Sequence, residues 1–355
     1  IMAYTTIDDP SAHFQIALYT GNNSNRSITN DGNSDLQPDW IWGKSRSDAD
    51  GPTSTDSSRG NTKVLTPSAT EAEGTASDYV TAFDSDGFSL GNNNGMNKNT
   101  LTYVAWQWKC NGGTSSASGS ESGSNLAYDF QVNTTSKFMI NKYTGRGSSS
   151  TLNLGNQFTP EFMIFKNRSQ ADDWVVYHHK NTSNPHTDHL HLNTTAATSD
   201  DEQMFEDVVF AADEINLGTN HEVNADGENY VAYAFASVQG YSEFGSYTGN
   251  GSEDGPFVYL GFKPQWIMFK NAGAAEEWVL QDTTRNPNNP VTKNIRVDSN
   301  IAEADASNLD IDFLSNGFKN RSNQAQLNSD GVSYVYMAFA EHPFVSSEGV
   351  PTTAR

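Results

Sequence analysis

The chain writes one strand three times. Tyr103-Val104-Ala105-Trp106-Gln107-Trp108 returns as Tyr230-Val231-Ala232-Tyr233-Ala234-Phe235 and again as Tyr334-Val335-Tyr336-Met337-Ala338-Phe339. Each copy alternates with period two, the pattern of a strand and not of a helix. One face carries Val104, Trp106 and Trp108, then Val231, Tyr233 and Phe235, then Val335, Met337 and Phe339. The other carries mostly Tyr and Ala. A large apolar face backed by a small one suits an inner strand, packed on one side and closely covered on the other. Asn and Asp-Gly turns precede the copies, as at Asp226-Gly227 and Asp330-Gly331.

Other landmarks keep the same order. Tyr19-Thr20-Gly21 recurs as Tyr143-Thr144-Gly145 and Tyr247-Thr248-Gly249. A proline-led strand follows at Pro38–Lys44, Pro160–Lys166 and Pro264–Lys270, with proline at the strand start, where its missing N–H does no harm. Between the second and third copies the offset is 104 at all three landmarks; between the first and second it is 122 to 127. That constancy defines a threefold internal repeat.

Each copy holds six or seven short strands, and Asp86-Gly87 and Asn316-Gly317 read as hairpin turns. The expected fold is all-β with almost no helix: three tandem antiparallel β-sandwiches of jelly-roll or lectin-like type. Their expected bounds are 1–110, 126–240 and 241–355, with a flexible Gly/Ser linker over 111–125. The first unit should then be the more loosely attached. It also lacks a counterpart to Trp174 and Trp278, having Asp50-Gly51-Pro52-Thr53 instead.

Charge narrows the function. With 21 basic and 43 acidic residues the net charge is −22, which argues against nucleic-acid binding and against adhesion to anionic membranes. One cysteine, Cys110, rules out an intrachain disulfide framework. No apolar run approaches a membrane span of about 20 residues. Ile1-Met2-Ala3-Tyr4 has neither the basic end nor the apolar core of a secretory signal.

Several of these motifs carry a resemblance. The opening through Tyr19-Thr20-Gly21-Asn22, Pro38-Asp39-Trp40-Ile41-Trp42, Phe83–Gly91, Tyr103–Lys109 and Phe162–Arg168 resemble tail-fibre-like and knob-like virion proteins of marine bacteriophages. The resemblance covers nearly the whole chain. It implies a non-enzymatic structural component of the virion surface, on tail or capsid, with other virion proteins as partners and a homotrimer as the expected assembly. A glycan-binding adhesin contacting the host surface is the alternative, and a polysaccharide depolymerase a third.

The residues themselves favour no catalytic site. Aligned repeats place Asp39 with Glu161 and Gln265, Asp86 with Asp213 and Asn316, and Asn99 with Asp226 and Asp330. The last two sets are turn positions, explained by backbone geometry. Asp31-Gly32-Asn33-Ser34-Asp35 resembles the start of a calcium loop but lacks the later carboxylate, so a solvated turn is expected. No cofactor motif is present. Most aromatics fall on inward strand positions, with Trp42 the candidate exception. Histidine is the local oddity: His178, His179, His186, His189 and His191 crowd into repeat two. Leu190 and Leu192 should face the core, turning His189 and His191 outward beside His179. These three are the candidate ligands for a transition metal; a solvated, titratable patch is the alternative.

Overall fold

The computed structural model describes residues 4–353; Ile1, Met2 and Ala3, on which the signal-peptide reading partly rests, lie outside it. Strand accounts for 41% and helix for 4%, in several antiparallel sheets. The fold is all-β. Among the described residues no helix is long and apolar enough to cross a membrane.

Every repeat builds its main sheet on the triplicated strand. In the first, Phe14–Thr20, Thr102–Trp108, Trp40–Ser45 and Thr53–Asp56 pair in that order. In the second, Phe138–Thr144, Asn229–Phe235, Phe162–Asn167, Trp174–His178 and Asp188–His191 follow the same order. In the third, the order is Ser242–Thr248, Ser333–Pro343, Phe262–Asn271, Val279–Asp282 and Lys293–Arg296. Registers correspond across repeats. Tyr19 pairs with Tyr103, Tyr143 with Tyr230 and Tyr247 with Tyr334, their rings stacked 5.2, 5.0 and 5.0 Å apart.

The first repeat has the strand that follows Trp40–Ser45 even though its sequence offers no counterpart to Trp174 or Trp278. Thr53–Asp56 pairs with Trp40–Ser45, as Trp174–His178 pairs with Phe162–Asn167. Polar Thr-Ser-Thr-Asp hides it from any apolar pattern. Its backbone is buried in the sheet all the same.

The small faces are covered locally. Tyr103 and Ala105 pack under the sheet containing Arg26–Ile28, Val80–Asp84 and Gly87–Leu90. Tyr230, Ala232 and Ala234 pack under Ser150–Asn153, Glu214–Leu217 and two short helices, Glu202–Phe205 and His221–Asn224. Tyr334, Tyr336 and Ala338 pack under Phe257–Tyr259, Ile311–Leu314 and Gly317–Asn320.

The large faces all meet. Val104, Trp106, Trp108, Val231, Tyr233, Phe235, Val335, Met337 and Phe339 belong to one apolar core shared by the three repeats. Trp40 stacks on Tyr233 at 4.3 Å, Phe14 on Phe339 at 5.0 Å and Phe162 on Phe244 at 5.6 Å. All seven tryptophans are buried, so Trp42 is core after all. Beside it the missing side chain of Gly43 leaves the space that Met96 fills: a Cβ there would lie 2.4 Å from its sulfur.

A closed belt surrounds this core. The backbone N–H of Glu73 donates to Arg168, Thr198 to Ala272 and Glu303 to Arg46, at 2.9 to 3.0 Å. These join repeat one to two, two to three, and three back to one. Three buried lysines repeat the circuit: Lys166 Nζ reaches the carbonyl of Thr70, Lys270 that of Thr195 and Lys44 that of Asn300. The first repeat is therefore not loosely attached.

Nor does the Gly/Ser stretch run free. Asp39 Oδ2 accepts the N–H of Cys110 at 2.6 Å and of Gly112 at 3.0 Å, while Oδ1 accepts that of Gly113 at 2.8 Å. Ala117–Gly119 then adds as a strand to Ala127–Asn133. Composition suggested a coil; a buried carboxylate supplying backbone acceptors overrides it.

Candidate functional site

The histidine-rich segment sits where the second repeat meets the third. Val175 pairs with His191 and Val176 with Leu190. Leu190 and Leu192 enter the shared core as expected, and His189 and His191 take the opposite face. That face is only partly solvated, with His191 17% exposed at its side chain. The second layer covers it, leaving His189 only 3% exposed.

The cover brings in a third group. Asn220 caps the short helix His221–Asn224, its side chain accepting the N–H of Glu222 at 2.9 Å. This turn hangs Glu222 over the strand, where its Oε2 accepts from His191 Nε2 at 3.1 Å. One donor atom from each of His189, His191 and Glu222 lies within 4.8 Å of the other two. The imidazoles of His189 and His191 stand edge to face, 4.8 Å apart.

Electrostatics differ within the cluster. Burial pulls His189 down to about 4, and the neighbouring His191 adds to this. For His191 burial acts downward too, but the hydrogen bond and charge of Glu222 outweigh it and raise the imidazole above its usual value. Burial pushes Glu222 up; His191 more than offsets that and leaves the carboxyl low. His189 Nδ1 is buried with no hydrogen-bond partner, an arrangement that costs about 1–3 kcal/mol when nothing fills it.

His179 does not join this group. It lies past the end of Trp174–His178, where its Nε2 donates to the carbonyl of Phe244 at 2.7 Å. The carboxylate of Glu161 is 4.0 Å away and itself accepts from the backbone and hydroxyl of Ser237. The third ligand-type residue is thus Glu222, 31 positions along the chain from His191. Its only sequence signal was its place in the repeat, where the capped turn carries Gly95 in the first copy and Gln326 in the third.

His178 has a separate role. It is fully buried, donating Nε2 to the carbonyl of Tyr336 at 3.1 Å and accepting the N–H of Lys180 on Nδ1 at 3.0 Å. The same strand position holds Asp56 in repeat one and Asp282 in repeat three. There each aspartate pairs with an arginine three residues on, Arg59 and Arg285. Tyr233 OH donates to Asp56 at 2.7 Å and Trp106 Nε1 to Asp282 at 3.2 Å. These three positions stitch successive repeats together.

Two of the other acidic turns are tied into the fold. Asp86 accepts the N–H of Leu36 at 3.2 Å, and the Asp31–Asp35 turn is fixed by Gln15, whose Oε1 accepts the N–H of Gly32 at 2.9 Å. Cys110 is buried, its thiol pushed well up by that burial and donating to Phe138.

Fold and site together define an all-β protein built of sandwiches around a common core, with, among the described residues, one largely buried histidine–carboxylate cluster. The chain belongs to the family described as a domain of unknown function (DUF7483), which matches residues 9–343. No curated protein and no solved structure matches it.

Proposed function

We propose that this chain is a non-enzymatic structural protein of a bacteriophage particle surface, a tail-fibre or knob-like element or a capsid decoration. The observation that carries the reading is the closed belt: three sheets bury their large faces in one core, and Glu303–Arg46 returns the last repeat to the first. Such closure gives a particle protein durability without disulfides, and the net charge of −22 keeps its outside soluble. Antibody labelling of purified particles is the test. Label on tail or capsid supports the proposal, and unlabelled particles from an expressing infection sink it.

A second reading, recognition of a host-surface glycan, has one specific support. Phe257 and Tyr259 are 47% and 56% exposed on the outer face of the third repeat's cover sheet. The corresponding positions are Ser27 and Thr29 in the first repeat and Thr151 and Asn153 in the second, by the pairing of Ile28 with Phe88, Leu152 with Ile215 and Val258 with Phe318. The fold therefore does not require aromatics there. Exposed rings beside Lys319, the partner of Phe257, suit stacking against a sugar with a polar contact at its edge. A glycan array with the intact chain and Tyr259→Ala tests it. Loss of a positive signal in the variant supports the adhesin reading, and an array with no signal removes it. Release of sugar from host envelopes would favour a depolymerase instead.

A further inference from the structure

We infer that His189, His191 and Glu222 form a binding site for one divalent transition-metal ion, with zinc the best chemical match. Two imidazoles and a carboxylate are a common donor set for that ion, with a water completing four-coordination. At metal–ligand distances of about 2.0–2.1 Å a tetrahedral ion sets its donors about 3.4 Å apart. The present donors lie within 4.8 Å of one another, and His191 and Glu222 are already 3.1 Å apart. The His189 ring would have to turn toward the other two donors to close the remaining gap. Binding requires the His191 nitrogen that faces Glu222 to carry no proton, so the proton it donates there moves to Nδ1 of the same ring, or to solvent when the ring starts as the imidazolium.

Two further observations point the same way. His189 has a buried ring nitrogen with no partner, the group a metal or its bound water would satisfy. The third repeat puts a cation in the equivalent place. Val279 pairs with Arg296 as Val175 pairs with His191, so the guanidinium of Arg296 corresponds to the His191 imidazole and Asn294 to His189. Glu277 and Asp298 face Arg296 there; in the second repeat Asp173, Asp200 and Asp201 surround the histidines. An acidic setting that holds a fixed positive side chain in one repeat suits a bound cation in the other.

The placement gives the ion a structural effect. The carbonyl of His191 accepts Trp278 Nε1 from the third repeat at 2.9 Å. This is the seam where Thr198 and Ala272 stand in place of a glutamate–arginine pair. A metal holding the His191 side chain would stiffen the strand that receives Trp278.

The test uses the purified, untagged full chain, stripped with chelator and then titrated separately with Zn²⁺ by calorimetry and with Co²⁺ by visible absorption. One equivalent should bind, with the intense bands of tetrahedral Co²⁺ and a rise in melting temperature that chelator reverses. His189→Ala and Glu222→Gln should each weaken binding about tenfold or more, while His179→Ala leaves it unchanged. Circular dichroism confirms that each variant is folded; should His189→Ala fail to fold, Glu222→Gln decides. Absence of saturable binding in the unaltered chain at micromolar metal overturns the inference. So does binding that survives Glu222→Gln undiminished, which would place the ion on exposed histidines such as His221.

Discussion

Glu303 receives both prongs of Arg46, Nε on Oε2 and Nη2 on Oε1 at 2.9 Å each, and so ties the end of the belt to its beginning. The same carboxylate takes Arg285 Nη1 at 3.1 Å, and Arg285 in turn pairs with the buried Asp282. Glu73 repeats the arrangement between Arg168 and Arg59. Burial pushes both glutamates up, but their arginines outweigh it and leave the carboxyls below their ordinary values.

The two arginines on Glu303 should behave differently. Arg46 is 17% exposed at its side chain, and Arg46→Ala leaves Glu303 still paired with Arg285. Its cost is expected near 1–2 kcal/mol. Arg285→Met strands Asp282 in a site with no exposure, at about 3–5 kcal/mol. Urea unfolding of both variants checks the order, and equal costs would contradict the assignment.

These charge networks show what a sequence can and cannot disclose here. Periodicity exposed the triplicated strand, and the paired tyrosines set its register. It could not show Thr53–Asp56, because a polar strand buried by its neighbours has no apolar alternation. Asp56-x-x-Arg59 against Asp282-x-x-Arg285 was the available signal. His189 and His191 were legible as neighbours on one face. Glu222 was not, since a capped turn 31 residues away reaches them only through tertiary packing. The ordering of Gly112 and Gly113 likewise depends on Asp39, a side chain more than 70 residues upstream.

His178 should impose a pH dependence. Its neutral tautomer fills both ring nitrogens, so a second proton would cost the Lys180 hydrogen bond inside the core. Burial holds it at about 3, against about 6.5 unfolded. The unfolded chain therefore takes up a proton below pH 6.5 that the folded chain refuses. This contribution to stability is fully present above pH 6.5 and is lost toward pH 3, at up to about 1.4 kcal/mol per pH unit. His178→Asn should be less stable at pH 7 by about 1–3 kcal/mol, with the gap shrinking by pH 5. Parallel stability profiles for the two proteins would refute it.

Lys166 offers a test of the belt without a carboxylate. Its Nζ donates to Thr70 of the first repeat at 3.0 Å and to Asp172 of its own at 2.8 Å, and burial lowers it to about 8. Lys166→Met keeps the stem but removes the donors, leaving two carbonyls unpaired. A loss of about 1–3 kcal/mol is expected, read as a lower urea midpoint with unchanged slope. A neutral result would mean that water replaces the ammonium without cost.

The last prediction concerns assembly. Tail fibres suggested a homotrimer, a symmetry that joins identical faces of three chains. Here the faces suited to that role are turned inward within one chain: Trp108 meets Trp266 at 5.9 Å, Trp40 meets Tyr233 at 4.3 Å and Phe162 meets Phe244 at 5.6 Å. We propose that the intrachain threefold belt takes the trimer's place. Association through those faces would first require the shared core to open, exposing apolar surface worth about 25 cal/mol per Å². Sedimentation at micromolar concentration should give the 38.8 kDa species. Because the three repeats share one core, urea should unfold it in a single transition, with Trp40→Ala shifting the whole curve by about 3–5 kcal/mol. A stable trimer would mean that the outer surface carries an interface of its own, and a biphasic curve would mean that the repeats fold independently.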